Sequence, residues 1–255
     1  MTALSELVRL YDGYVDTYRE ADGRLPSMME LKRVHTAKVV ENAEAIADGE
    51  AFSAEERELA LAAALLHDTG RYEQLKRYNT FRDSESVDHA FFSHDIVKEK
   101  GWVDDERVLK AVLCHNRREL PDDLDPIGRK VAETVRDADK LDIFRVLENQ
   151  VETTDWRGDS RAFWNLKVSA PPSPEVVSAI GERRPVDYQY IKSLADFVLI
   201  QVGWMISGLC FKTSMKLCRG RGHLEFRRRF LHEITDDPSV DRLCDIAFEI
   251  LTSHG

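Results

Sequence analysis

Four of the eight histidines, His35, His67, His89 and His115, each fall on a different predicted helix. Asp68 follows His67 directly, and Asp139 lies on the helix predicted after His115. Neutral imidazole together with carboxylate suits borderline divalent ions such as Fe, Mn, Co, Ni or Zn. Helices packed as a bundle can project such groups inward to one point. Six side chains supply more donors than one ion needs, and a carboxylate can bridge two ions whereas an imidazole normally binds one. Neighbouring helix residues point about 100° apart, so His67 and Asp68 can share a centre only near the end of their helix. Thr69-Gly70 reads as the stop signal that puts them there.

A second doublet, His94-Asp95, provides a comparison. It sits inside a predicted helix and is followed by Lys98, Glu99 and Lys100, so it reads as a solvated or capping pair. His67-Asp68 instead follows Ala62-Ala63-Ala64-Leu65-Leu66, an apolar run expected to be buried. A charged doublet after a buried run needs a compensating partner, because unpaired burial is expensive.

The elements that must position these residues read as helices. Residues 4–18 place Leu4, Leu7, Val8, Tyr11, Tyr14, Val15 and Tyr18 at helical spacing. Ser27 with Glu30, and Ser53 with Glu56, form two predicted capping boxes. The first opens a helix to about Gly49, the second a helix through Leu59 to Leu66. Further helices are expected from Asp83 or Ser84 to Gly101, and from Asp104 to about Asn116. Asp125-Pro126, an N-cap followed by proline at the first helical position, should launch a helix through Asp139, and Ser173-Pro174 repeats the device. Residues 187–211 and 238–253 also read as helical. Alternating β-branched stretches are few, so the expected fold is all-α. Residues 152–172, with Trp156, Gly158, Trp164 and Pro171-Pro172, read as a long connection.

At 255 residues, with 43% hydrophobic and 32% charged side chains, the chain has the composition of an ordinary globular protein that can bury a core without disulfides. Its net charge of −10 opposes nonspecific binding to nucleic acid or to an anionic membrane. The longest apolar stretch, Phe197 to Phe211, is too short to span a bilayer and reads as a buried helix. Residues 1–25 are charged and amphipathic, and the four cysteines have no CxxC spacing, so a cytoplasmic protein with reduced thiols is expected.

His35, then Ala64-Leu65-Leu66-His67-Asp68-Thr69-Gly70, then Val135-Arg136-Asp137-Ala138-Asp139-Lys140-Leu141-Asp142 resemble the signature of the HD-domain metal-dependent phosphohydrolases. The resemblance covers roughly residues 30–150. It implies an all-α HD helical bundle over residues 1–150, with residues 151–255 as a helical extension packed on it or continuous with it. It also implies that His35, His67, Asp68 and Asp139 hold a first metal. His89 and His115 match the two extra histidines of the two-metal branch, with Asp68 as the bridge. Asp137, two residues from Asp139, is read as a carboxylate that could orient a histidine.

One or two divalent ions (Fe, Mn, Co, Ni, Mg or Zn) would clamp a phosphoryl group and activate hydroxide near neutral pH. No P-loop, G-x-S-x-G or nucleophilic cysteine arrangement competes with that chemistry. The expected reaction is hydrolysis of a phosphate ester, from a nucleotide or small phosphorylated metabolite. Beside Asp68 itself, Arg71 and Lys140 are the first candidates to meet the anionic substrate, with Arg117 and Arg118 behind them. Asn116 could donate to a phosphate oxygen, and Tyr72, Tyr78, Phe81, Phe91 and Phe92 could stack on a nucleobase. The expected partner is therefore a small phosphoester, without membrane or nucleic acid, and a homo-oligomer is allowed. The alternatives are a di-iron oxygenase of the same superfamily and a non-catalytic signalling module, although every ligand position is filled. The basic cluster Arg219, Arg221, Arg227, Arg228 and Arg229 reads as a solvated helix face with some ion pairs.

Overall fold

A computed structural model describes residues 2–157, 163 and 166–253. Gly158 and Trp164 of the predicted connection lie outside the described residues. Twelve α-helices occur among the described residues: α1 (Leu4–Asp16), α2 (Ser27–Gly49), α3 (Ala54–Leu66), α4 (Gly70–Tyr78), α5 (His89–Glu99), α6 (Glu106–Cys114), α7 (Pro126–Thr153), α8 (Pro174–Gly181), α9 (Leu194–Ser207), α10 (Lys212–Gly220), α11 (His223–Ile234) and α12 (Ser239–Ser253). Short 3-10 turns cover Asp83–Glu85 and Tyr188–Tyr190. The fold is all-α, as expected. No described helix is long and apolar enough to cross a membrane.

The described chain divides into two compact units, 1–142 and 143–255. The division falls within the residue range of α7.

In the first unit α3 is the central element. Every residue from Leu59 to Leu66 is buried, and each buried leucine side chain stabilises by about 1.5–3 kcal/mol. The Ser53–Glu56 capping box forms as expected: the Glu56 amide donates to Ser53 Oγ at 3.2 Å, and the Ser53 amide to Glu56 Oε2 at 2.8 Å. Helix α3 packs between α2 and α6, with α1 against it as well. Tyr11 and Val15 of α1 join Tyr72 and Trp102 in the same core.

The Ser27–Glu30 box does not form. Pro26 occupies the N-cap position, its carbonyl accepts from Met29 and Glu30, and Glu30 turns to Arg33 at 2.6 Å. Pro26 is extended (φ −49°, ψ 140°) and takes the cap position itself, so Ser27 is the first helical residue instead of the cap.

Helix α7 is tied to its neighbours by polar bonds. Asp125 Oδ1 caps it by accepting from the Ile127 and Gly128 amides. Lys130 reaches Glu56 at 2.9 Å, and Asn42 of α2 donates to the Ala138 carbonyl at 3.0 Å. That last bond fixes the turn of α7 that carries Asp139.

The second unit packs α9 against α8, α11 and α12. The stretch read as one helix over 187–211 is a 3-10 turn followed by α9, which starts at a Ser193–Asp196 capping box. The arginine cluster is not uniformly solvated. Arg227 is fully buried. Its guanidinium donates to Glu148 at 2.7 Å, to Gln201 at 2.7 Å and to the Phe144 carbonyl at 3.0 Å. A buried guanidinium persists only when its donors are matched in this way. Sequence spacing showed the charge but not these partners.

Candidate metal centre

Each predicted ligand sits at a helix position that aims it at one point within the first unit. His35 is buried on α2. His67 is the C-cap of α3, and Asp68 follows in the short corner before α4. His89 is the first residue of α5, His115 is the C-cap of α6, and Asp139 lies on α7. Placement at helix ends lets consecutive residues 67 and 68 face the same centre, as expected. Gly70 opens α4 and does not merely end α3. A Cβ there would lie 2.7 Å from the Ser93 amide nitrogen and 3.0 Å from the His89 carbonyl oxygen. The Gly70 amide donates to Ser93 Oγ at 2.8 Å. Glycine is therefore what lets α5, and His89 with it, approach this corner.

The four imidazoles form a chain, with ring centroids 5.5 Å apart for His35–His67, 5.1 Å for His67–His115 and 4.9 Å for His89–His115. Asp68 lies among them. Its Oδ2 is 3.6 Å from both His35 Nε2 and His67 Nε2, whereas its Oδ1 is 3.6 Å from His89 Nε2 and 3.8 Å from His115 Nε2. Asp139 Oδ1 stands 3.1 Å from His35 Nε2 and 3.9 Å from His67 Nε2. His35, His67 and Asp139 thus present ligand atoms within 4.8 Å of one another, as do His67, Asp68 and His115.

The outward nitrogens are each held by an acceptor. His67 Nδ1 donates to the Ala64 carbonyl and His115 Nδ1 to the Val112 carbonyl, both at 2.8 Å. His35 Nδ1 meets Asp142 Oδ2 at 2.7 Å, and His89 Nδ1 meets Asp83 Oδ2 at 2.5 Å. A carbonyl can only accept, so the proton of His67 and of His115 sits on Nδ1 and the Nε2 lone pair faces the centre. His67 Nε2 is buried without any hydrogen-bond partner. His89 Nε2 and His115 Nε2 face each other at 3.0 Å. Buried, inward-facing lone pairs beside two carboxylates are a donor set matched to a divalent cation.

The electrostatics agree. Burial presses His89 and His115 down to about 4, assisted by Arg71 for the first and by His67 for the second, so both are neutral at pH 7. His67 is lowered by burial as well. His35 is pressed down by burial and by Lys32, but the carboxylates of Asp139 and Asp142 outweigh them and hold it above its ordinary value. Asp68 resists burial because Lys32, His67 and Arg71 keep it well below the usual carboxylate range. Asp139 is likewise held low against burial, by His35 first.

Three site residues were not singled out from sequence. Lys32 places Nζ 2.6 Å from Asp68 Oδ2. It stands three residues before His35, one turn of the same helix face, and that spacing was the available signal. Asp142 is the carboxylate that meets His35, in the role expected of Asp137, because residue 142 shares the face of Asp139 one turn on. Asp137 is itself fully buried. Asp83 reaches His89 from a 3-10 turn where the sequence predicts a helix start.

The remaining candidates are placed as follows. Arg71 Nε lies 3.4 Å from Asp68 Oδ1, while its Nη1 donates to Gln74, to the Phe81 carbonyl and to Asp83. Lys140 donates back to the Arg136 carbonyl at 3.3 Å. Asn116 and Arg117 meet Asp88, the N-cap of α5. Phe81 lies 5.5 Å from Lys32 Nζ and 5.7 Å from Arg71 Cζ, measured to the ring centroid. Tyr72 is core, packed on Tyr11, Tyr14 and Tyr18. Phe91 and Tyr78 are exposed, and Phe92 stacks under Arg77. His94 and Asp95 pair with each other at 3.0 Å, the aspartate side chain exposed and the histidine half-buried, away from the His67–Asp68 centre.

An all-helical unit with histidine and aspartate ligands at these positions defines a metal-binding HD-type domain, and residues 34–143 match the HD domain family. The match over residues 34–143 supports HD-domain superfamily membership for that stretch, and the superfamily points to metal-dependent hydrolases. No curated protein and no solved structure matches it.

Proposed function

We propose that this protein is a metal-dependent phosphohydrolase acting on the phosphate ester of a nucleotide or small phosphorylated metabolite. The observation that carries the reading is the division of Asp68, with one oxygen toward His35 and His67 and the other toward His89 and His115. His35, His67, Asp68 and Asp139 would hold one divalent ion, and Asp68, His89 and His115 a second. Such ions, when bound, supply Lewis acidity and lower the pKa of water.

The chain's own residues supply the rest. Neutral histidines and ionised aspartates are ready as ligands near pH 7, without a proton first being removed from His67, His89 or His115. Lys32 and Arg71 stand on the two oxygens of Asp68 and bring positive charge to an acidic protein where an anionic substrate would need it. Lys140, next to Asp139, is a further cation for the substrate. Phe81, beside both Lys32 and Arg71, offers a ring face for the organic part of the substrate.

The test is direct. Metal-stripped protein is reloaded with Mn, Co, Ni, Mg, Zn or Fe(II) and screened against phosphomonoesters and phosphodiesters, with His67→Ala as control. Ion-dependent phosphate release that His67→Ala abolishes is expected. An iron-loaded protein that consumes oxygen and hydrolyses no phosphoester would replace this reading with the oxygenase one.

A further inference from the structure

The four histidines are not held equally well. His67 and His115 donate to carbonyls one turn back in their own helices. His35 is held by Asp142, which is 1% exposed and sits on α7. His89 depends on Asp83, whose side chain is 34% exposed and sits on the 3-10 turn Asp83–Glu85. That turn is itself fastened by side chains of α4. Asp83 Oδ1 accepts from Arg71 Nη1 and from Gln74 Nε2, both at 3.0 Å. Gln74 Nε2 also donates to Ser86 Oγ at 2.8 Å and to the Val87 carbonyl at 3.1 Å. Asp83 therefore uses one oxygen to join the turn to α4 and the other to orient His89.

An imidazole whose outward N–H is fixed by a carboxylate has its tautomer and ring direction set, and losing that partner weakens a metal by about 10–100-fold. We propose that Asp83 is the positioning residue for the ion between His89 and His115, and that the centre consequently holds its two ions unequally. The ion at His35, His67 and Asp139 is the firm one. The ion at His89 and His115 is exchangeable, because its orienting carboxylate rides on a partly exposed turn. This rests on the two-ion reading above. Arg71 links the two features, since the guanidinium that fastens Asp83 also faces Asp68 Oδ1.

The full chain is stripped of metal and titrated with Co(II), following heat and the visible absorption of the bound ion, with the melting temperature of each metal-free variant checked first. Wild type is expected to take two ions in two separable steps and to lose them to a chelator in two phases. Asp83→Asn is expected to weaken the second step by about 10–100-fold and leave the first within threefold. Asp83→Glu is expected to recover most of the second step. Asp142→Asn is expected to weaken the first. An unchanged second step in Asp83→Asn, or equal weakening of both steps, overturns the proposal while leaving the two-ion reading standing. A wild type that takes one ion only overturns both. If Asp83→Asn fails to fold, the wild-type chelator experiment decides alone, and release of both ions in one phase overturns the proposal.

Discussion

Lys32 Nζ lies 2.6 Å from Asp68 Oδ2, with the carboxylate almost wholly buried and the ammonium largely so. The lysine occupies the oxygen that also faces His35 and His67. Were a cation held there, it would compete with Lys32 for Asp68, and the ammonium would be available to an anion close by. Lys32→Ala is accordingly expected to raise KM for a phosphoester by about 10–100-fold, the loss of one charged hydrogen bond, while metal affinity holds or rises. Lys140→Ala should likewise raise KM more than it lowers metal content. Parallel measurement of metal stoichiometry and KM checks both, and equal loss of both quantities would make either lysine structural.

Asp68→Asn removes the one carboxylate shared by both histidine pairs. Neither ion should then be retained at stoichiometric level, and kcat/KM should fall at least about a thousandfold, comparable to the loss of a central electrostatic group. Metal analysis after dialysis, together with steady-state kinetics, reads the outcome.

The metal-free protein should lose stability in acid well before its carboxylates titrate. His89 and His115 titrate near 4 when folded, against 6.5 when free. Between these values the unfolded chain binds protons that the folded chain refuses. Their contribution to stability is therefore full above about 6.5 and falls as pH drops toward 4. His35 is held high and contributes in the opposite sense, present below 6.5 and lost as pH rises through its raised value. The His35 contribution changes only above 6.5, so stability should decline between 6.5 and 4 by up to about a few kcal/mol, with a matching fall in melting temperature. A His115→Asn variant should show a flatter decline, measurable by thermal melts at a series of pH values.

Gly70→Ala tests the corner that brings α5 to α3. The added methyl would meet backbone of Ser93 and His89, which no rotamer change can relieve. Destabilisation of about 1–3 kcal/mol is expected, with reduced metal retention because His89 is displaced. A chemical denaturation curve and metal analysis on one preparation check the two effects together.

Part of the centre is legible because His67, Asp68, His89 and His115 lie at or beside helix ends, which leave local sequence signals. The buried run before His67 marks His67 and Asp68, and the Asp125-Pro126 start sets Asp139 on a helix, whereas the ligand set as a whole is what the HD resemblance implies. Asp83, Asp142 and Lys32 were not legible in the same way. Their roles depend on which element lies across from them: Asp142 meets a residue 107 positions earlier, and Lys32 one 36 positions later. Local signals also misled where two rules competed. At Pro26-Ser27 the proline took the cap position that serine chemistry had suggested. At Asp83 an apparent helix start proved to be a separate turn, because Asp88 caps α5 by accepting from Ala90 and Phe91. Arg227 illustrates the same limit in the second unit, where a charge in a basic run is buried on partners from α7 and α9.

Anomalous diffraction from crystals soaked in Mn(II) tests the central claim most directly. Two peaks are expected, one bounded by His35, His67 and Asp139 and the other by His89 and His115, with the carboxylate of Asp68 between them. Density at neither position in protein shown to bind manganese, or a single peak away from these six side chains, would contradict the account.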